Sequence, residues 1–443
     1  MNYKIIYSLA LMLSQIQWKL QIPLIRFCIA VPQKNEKLTI WLIQDGEQLP
    51  LTEGAKPMRT WRLGEELARR GHEVIWWSSN FHHMLKKKVC EGDLDYKIKE
   101  NFTIKLLDCG SYKKNLSIAR ILHHRLFGKK LHKAMRRMPK PDRIVASHPS
   151  IESSYEGTKY GKEFDVPVIV DVRDMWPDMF KDYFPKIFSC WIDFIFHFMK
   201  KKAEFSFNYS NSLVSMSPNL LEWAKKKTFN NNKSCAIFYL GADESQPNPK
   251  EKKIKETLDF IKDKIVYLYL GVLGSSYDLE TIIEVARKRY ELGDKKSLFI
   301  IAGEGPKKEK LIKLSKGSKN ILFLGWLDRK ESHYWMKKCD VFLVPAINCA
   351  MPNKLFEGLL HGKPVLFTLF GEAKKILESE NAGLYYPPKS ISKLNKLIDM
   401  TLVDDFRTTI GKNAANLYKE KLSSKKIYSD YTNFIEKLNL LKK

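Results

Sequence analysis

From Leu38 onward, short apolar runs alternate with amphipathic stretches, a pattern that predicts strand and helix in turn. Leu38-Thr-Ile-Trp-Leu-Ile43 has the length and continuity of a strand buried on both faces. A polar loop from Asp45 to Pro57 follows, then a helix from about Met58 to Arg70. Leu63, Gly64, Leu67 and Ala68 make one stripe of that helix, and Gly71 stands where a C-cap glycine belongs. Val74-Ile-Trp-Trp77 is the next strand, and the alternation continues through Ile144-Val-Ala146, Val168-Ile-Val170 and Leu213-Val214. A second series starts at Ile265, with strands at Ile265–Leu270, Leu298–Ala302, Ile321–Leu324, Val341–Val344 and Val365–Phe367, each followed by room for a helix.

Alternation at this spacing implies parallel sheets covered by helices on both faces. The chain therefore reads as α/β, with two Rossmann-like, doubly wound domains facing a central cleft. The polar segment from Gly241 to Lys250, with two prolines, reads as the hinge. The expected boundaries are an N-terminal extension at 1–36, a first domain at 37–241 and a second at 242–425. Residues 426–443 are read as a last helix packing back on the first domain. In such sheets ligands bind beyond the carboxyl ends of the strands, where loops and helix N-termini converge.

Composition changes this picture in three places. Seven cysteines, odd in number, scattered and without a CxxC pair, argue against a disulfide framework or a zinc site and suit a reducing cytoplasm. A net charge of +26 biases the chain towards polyanions: nucleic acid, an anionic membrane face or phosphate-bearing substrates. Nucleic acid is set aside, because no reader motif or aromatic-studded basic sheet accompanies the charge. The apolar stretch Tyr7 to Val31 is broken by Gln15, Gln17, Lys19, Gln21, Pro23 and Arg26, so it is a poor spanning helix. It reads either as an amphipathic membrane-surface segment or as sequence ahead of a later start.

Candidate chemistry sits at strand ends. Gly271-Val-Leu-Gly-Ser-Ser276 and Gly303-Glu-Gly-Pro306 each follow a strand and open a helix, where glycine permits close backbone approach and helix amides suit a phosphate. The richest loop runs from Pro345 to Glu357. Lys354 falls in the first helical turn, an arrangement that neutralises a diphosphate, and Glu357, about one turn along, can accept hydrogen bonds from a ribose diol. The blander account is a surface Lys–Glu pair at a helix start.

Taken in order, four segments resemble the GT-B glycosyltransferases of the large retaining family 4 group, most closely bacterial enzymes of capsule, O-antigen and exopolysaccharide assembly. They are Met58–Val74, Asp171-Val-Arg-Asp-Met-Trp-Pro-Asp178, Gly303-Glu-Gly-Pro306 and Met351-Pro-Asn-Lys-Leu-Phe-Glu-Gly358, and the resemblance runs roughly from Leu38 to Tyr428. It implies an acceptor-side first domain and a second domain that binds a nucleotide-sugar donor, UDP- or GDP-linked. Glu357 would hold the donor ribose, while Lys354 and the backbone at Asn353 and Leu355 would contact diphosphate or sugar. Gly303 and Gly305 would approach the donor, Gly325-Trp-Leu327 would lie beside the base, and Gly54 would reach the diphosphate from across the cleft. It also implies hexosyl transfer with retention, by front-face displacement. A sugar-nucleotide 2-epimerase of similar fold is the rival enzyme.

Two departures stand out. Where the family places another Glu, eight positions before Glu357, this chain has Cys349, and the loop Gly271–Asp278 lacks the usual Arg and Lys. Asp174 and Arg173, at a strand end, are the residues expected at the reaction centre, and His148 is an acceptor-side candidate. His82 and His83 rank lower. Asp93-Leu-Asp95 is a DxD triplet, but it lies in a charged loop away from any strand end, so no metal and no other cofactor is expected. Two stretches, Ile121–Lys140 and Met179–Lys202, join apolar bulk to basic charge. They point to an anionic membrane surface and a lipid-linked or oligosaccharide acceptor, with the enzyme peripheral on the inner face of the cell membrane.

Overall fold

The computed structural model describes residues 37–51, 55, 57–115, 117–183, 196–229, 232–242, 261–347 and 351–438. The extension 1–36, Gly54, all but the first two residues of the expected hinge, the middle of the stretch Met179–Lys202, and Cys349 lie outside them.

The N-terminal half carries β1 (Thr39–Ile43), β2 (Glu73–Ser79), β3 (Phe81–His82), β4 (Lys87–Lys88), β5 (Leu94–Lys99), β6 (Phe102–Leu107), β7 (Arg143–His148), β8 (Val168–Val172), β9 (Ser212–Ser215) and β10 (Ser234–Ile237). Eight of these form one sheet in the order β10-β9-β8-β7-β1-β2-β6-β5, parallel except for the β5–β6 pair, while β3 and β4 make a separate hairpin. The C-terminal half carries β11 (Ile265–Leu270), β12 (Ser297–Ala302), β13 (Ile321–Gly325), β14 (Val341–Val344), β15 (Val365–Phe367) and β16 (Gly383–Tyr385), all parallel, in the order β13-β12-β11-β14-β15-β16. In both sheets the order reverses beside the first strand, between β1 and β7 and between β11 and β14. A crevice opens beyond the strand ends at such a point.

The continuous apolar runs follow from burial on both faces. In β1, Ile40 and Leu42 enter one core layer while Trp41 and Ile43 enter the other. In β11, Val266, Leu268 and Leu270 oppose Tyr267 and Tyr269 in the same way. Strands β5, β6, β10 and β16 escape that signature. β6 interleaves Thr103 and Lys105 with its buried residues, and β16 is three residues long.

The helix Ser424–Glu436 returns to the N-terminal half, where Ile427, Tyr428, Tyr431 and Ile435 join the layer of Leu63, Leu67 and Trp76. Tyr431 stacks on Phe238 with ring centroids 4.4 Å apart. At the junction of the halves, Arg62 donates to Leu240 O at 2.9 Å, Tyr428 OH to Leu240 O at 3.2 Å, and Ser424 Oγ to Ala242 O at 2.9 Å. Among the described residues no helix is long and apolar enough to cross a membrane.

Candidate active site

At the switch point of the second sheet, the chain leaves β14 and returns as the helix Asn353–Leu360. Leu355, Phe356 and Leu359 are buried and fix one face of this helix in the core. Gly358 lies so close to β14 that a Cβ there would stand 2.6 Å from Phe342 Cδ1. Lys354 and Glu357 remain partly exposed, with Lys354 Nζ donating to Glu357 Oε2 at 2.7 Å. A helical pair of this kind adds only about 0.2–0.5 kcal/mol. Lys354 also occupies the first turn, where the helix dipole and unpaired amides favour an anion.

Three cavities meet at Lys354. The largest, about 710 Å³, lies between the halves, with Arg173, Asp174, Ser217 and Asn219 on one wall and Gly271, Asn353 and Lys354 on the other. A second, of about 450 Å³, runs from Gly303, Trp326 and Leu327 to Lys354 and Glu357. A third, of about 310 Å³, joins the same pair to Arg59 and Arg62 across the cleft. Spaces of roughly 300–1,000 Å³ suit small-molecule ligands.

The wall of the second cavity depends on close backbone approach. Gly303 sits at φ +142°, and a Cβ there would stand 1.7 Å from Gly271 O; at Gly305 it would stand 2.5 Å from Leu273 O. The two glycines let the loops after β11 and β12 lie against each other, joined by Leu273 N–H to Glu304 O and Lys307 N–H to Leu273 O, both 2.9 Å. Gly303 lines the cavity, whereas Gly305 packs beneath Leu273.

On the N-terminal wall, Arg173 is already engaged. It donates to Asp171 Oδ2 at 3.0 Å, Glu47 Oε2 at 2.9 Å and Thr60 Oγ1 at 2.8 Å, so its carboxylate partners are Asp171 and Glu47 rather than Asp174. Asp171 also receives Arg59 through two hydrogen bonds, at 2.7 and 3.0 Å. Burial alone would raise the Asp171 carboxyl, but Arg59 and Arg173 outweigh it and hold it below the ordinary carboxylate range. Asp174 accepts the Met175 amide at 2.8 Å, and burial holds its carboxyl above that range. That makes Asp174 the less committed of the two, and it faces the largest cavity.

Two candidates lie away from the three cavities. His148 is fully buried at the end of β7, with Nδ1 3.0 Å from Ser154 Oγ and Nε2 2.9 Å from Trp176 O, packed by Phe207 and Trp223. Burial lowers its pKa to about 4, and it supports the Trp176 segment instead of meeting an acceptor. Leu355 is in the core, and its amide donates to Pro352 O at 2.9 Å. Asn353 and Lys354 are the residues that open the helix towards the cleft. Of the DxD triplet, Asp93 is held by Lys130 at 3.1 Å and Asp95 by Lys105. His82 Nδ1 accepts the Leu85 amide at 3.1 Å and His83 Nδ1 lies 2.6 Å from Tyr112 OH, so the adjacent histidines have separate partners.

One group was not singled out by sequence. Asp45, His123 and His124 are all buried, with donor atoms within 4.8 Å of one another, a spacing that could hold a metal ion. Each histidine of the group also has a second partner within the protein. His124 Nδ1 meets Asp45 Oδ2 at 2.8 Å while its Nε2 receives Arg120 Nε at 3.3 Å. His123 Nδ1 lies 3.1 Å from Gly110 O and its Nε2 3.4 Å from Asp45. Burial would lower His123, but Asp45 outweighs it and raises the imidazole above its ordinary pKa. The available signal was position: Asp45 lies just beyond β1, at the switch point of its sheet.

Comparison with known proteins bears on this arrangement. Residues 250–417 match the family model described as Glycosyl transferases group 1. Over 219 residues the chain is 22% identical to the N,N'-diacetylbacillosaminyl-diphospho-undecaprenol alpha-1,3-N-acetylgalactosaminyltransferase of Campylobacter jejuni, covering 47% of this chain and 56% of that protein. Over 201 residues it is 23% identical to the alpha-monoglucosyldiacylglycerol synthase of Acholeplasma laidlawii, covering 44% and 50%. The chain thus spans about half the length of the curated relatives it matches. Among solved structures, sucrose-phosphate synthase from Thermosynechococcus elongatus superimposes with a TM-score of 0.66 at 14% identity over 90% of this chain and 98% of that one. Anabaena HepE in complex with UDP gives 0.61 at 13%, over 90% and 100%. The fold is that of the GT-B glycosyltransferases.

Proposed function

We propose that this chain is a glycosyltransferase that moves a hexosyl residue, with retention, from a UDP- or GDP-linked donor to a lipid-linked saccharide in surface polysaccharide synthesis. The observation that carries this reading is Lys354, paired with Glu357 at a helix start and facing Arg173 and Asp174 across a 710 Å³ cavity. Of the two relatives matched in sequence, one is named for a diphospho-undecaprenol substrate and the other for the synthesis of a monoglucosyldiacylglycerol, and the HepE structure contains UDP. No observation favours the epimerase.

In the proposed mechanism Glu357 accepts the ribose hydroxyls, and Lys354 turns from Glu357 to the diphosphate, assisted by the helix amides. The base lies along Trp326 and Leu327. The acceptor hydroxyl attacks the anomeric carbon from the face that the diphosphate leaves. A new C–O bond forms as the sugar–phosphate bond breaks, and the hydroxyl proton passes to the departing phosphate oxygen. Charge building on that oxygen is met by Lys354 and the helix amides. Asp174 orients a sugar hydroxyl in the cleft. Ile118, Leu122 and Leu126 are exposed along one side of the helix Ile118–Met135, which also carries Arg125, Lys129 and Lys133. This joins apolar and basic surface suited to the inner leaflet of the cell membrane.

The test is transfer of radiolabel from UDP- and GDP-sugars to a lipid extract, in parallel with the Lys354→Gln protein. Label entering the lipid phase with wild type and falling at least ten-fold with the variant is expected. Donor turnover that needs no acceptor, or a variant as active as wild type, contradicts the proposal.

A further inference from the structure

The loop Gly271–Asp278 holds no Arg or Lys. Lys354, moreover, shares its charge with Glu357 at 2.7 Å. The diphosphate of a donor carries more negative charge than one ammonium cancels, so a second cation is needed near the same place. Most candidates lining the cavities beside Glu357 are committed. Arg59 is bound to buried Asp171, and Arg62 donates to Leu240 O.

Arg329 is different. It is the first residue of the helix Arg329–Lys338, where Asp328 and Glu331 form a capping box that fixes the backbone. Its side chain is half-buried and lines both the 450 and the 310 Å³ cavity, in each case together with His333, Lys354 and Glu357. It makes no hydrogen bond or ion pair with any described residue. A partly desolvated guanidinium without an acceptor is unfavourable until an anion supplies one. Its planar fork matches two phosphate oxygens, which an ammonium cannot do.

We infer that Arg329 supplies the second cation for the donor diphosphate, in place of those missing from Gly271–Asp278. The inference rests on the nucleotide-sugar reading above and adds a residue to the same site. Lys354 and the helix start hold the anion from one element, and Arg329 holds it from the next. Capped at its N-terminus, the helix of Arg329 presents the guanidinium with little reorganisation, so its contribution belongs to binding as well as to leaving-group stabilisation.

The experiment compares uridine, guanosine, UDP and GDP on the full chain by ligand-observed NMR, which reads affinities down to the millimolar range. Wild type, Arg329→Gln, Arg329→Lys and Lys354→Gln are used, each first checked for an unchanged melting temperature. Arg329→Gln is expected to weaken the preferred diphosphate about ten-fold while leaving its nucleoside unchanged, and Arg329→Lys to recover part of the loss. An equal loss for nucleoside and diphosphate, or no loss at all, overturns the role of Arg329. If Lys354→Gln still weakens the diphosphate in that case, the transferase reading stands without it. A wild-type chain that binds neither diphosphate overturns both.

Discussion

At the residue scale, the proposed function makes the Lys354–Glu357 contact a resting state that the donor opens. The pair is partly exposed, so water screens it and separating its members costs little. The contacts that replace it are charge-assisted. Lys354→Gln should lower diphosphate affinity by about 1.5–3 kcal/mol, and calorimetric titration would read this as a roughly 10- to 150-fold weaker Kd. Glu357→Gln should act through the ribose, weakening nucleoside and diphosphate alike. His123 offers a separate test, of stability. Asp45 raises its pKa on folding, so the pair contributes fully below the ordinary imidazole value of 6.5 and its contribution fades as pH rises through the folded value. The melting temperature of wild type should therefore fall more steeply above pH 6.5 than that of His123→Gln. Parallel curves would show that the imidazole is neutral in the fold. Neither His123 nor Arg329 could be chosen from the sequence. One sits in a basic apolar helix and the other reads as an ordinary first residue of a surface helix; only the partners that folding brings, or withholds, distinguish them.

At the scale of elements, the switch-point loops were legible because parallel strands buried on both faces leave unbroken apolar runs, and each run stops where its strand stops. Lys354, Glu357, Gly303 and Asp174 follow from that rule, and all four line the cavities. His148 is reached by the same rule and is buried, since a strand end can point its side chain into the core as well as into the cleft. The contacts between elements were not legible: Arg59 and Asp171 are 112 residues apart, and nothing local pairs them. Their removal should be severe. Asp171→Asn leaves Arg59 and Arg173 short of a buried carboxylate, and a loss of about 3–5 kcal/mol is expected in urea denaturation. Gly303→Ala tests the loop contact. A methyl group placed 1.7 Å from Gly271 O at a left-handed φ must move both loops. About 1–3 kcal/mol of stability should be lost, with weaker nucleotide binding. A variant as stable as wild type would mean that the two loops are not held together there.

At the scale of the whole molecule, two doubly wound halves meet along a cleft and are tied together by Phe238–Ala242 and by the returning helix Ser424–Glu436. The two-sheet architecture and the return of a last helix to the first domain could be read from the sequence, whereas the contacts at Phe238–Ala242 could not, because they are made by backbone carbonyls and by aromatic residues far apart in sequence. Net charge of +26 and the exposed stripe Ile118, Leu122 and Leu126 bear on where such a molecule works. Flotation with vesicles containing anionic lipid should carry the protein at low salt and lose it as salt shortens the screening length. Failure to float at low salt would remove the membrane from the account. The central claim concerns the cleft itself, and the most direct measurement is a crystal structure of the chain with UDP or GDP. The account predicts the diphosphate against Lys354 and the ribose hydroxyls on Glu357, with the contact between the two side chains opened. A nucleotide bound elsewhere, with that contact still closed, would contradict it.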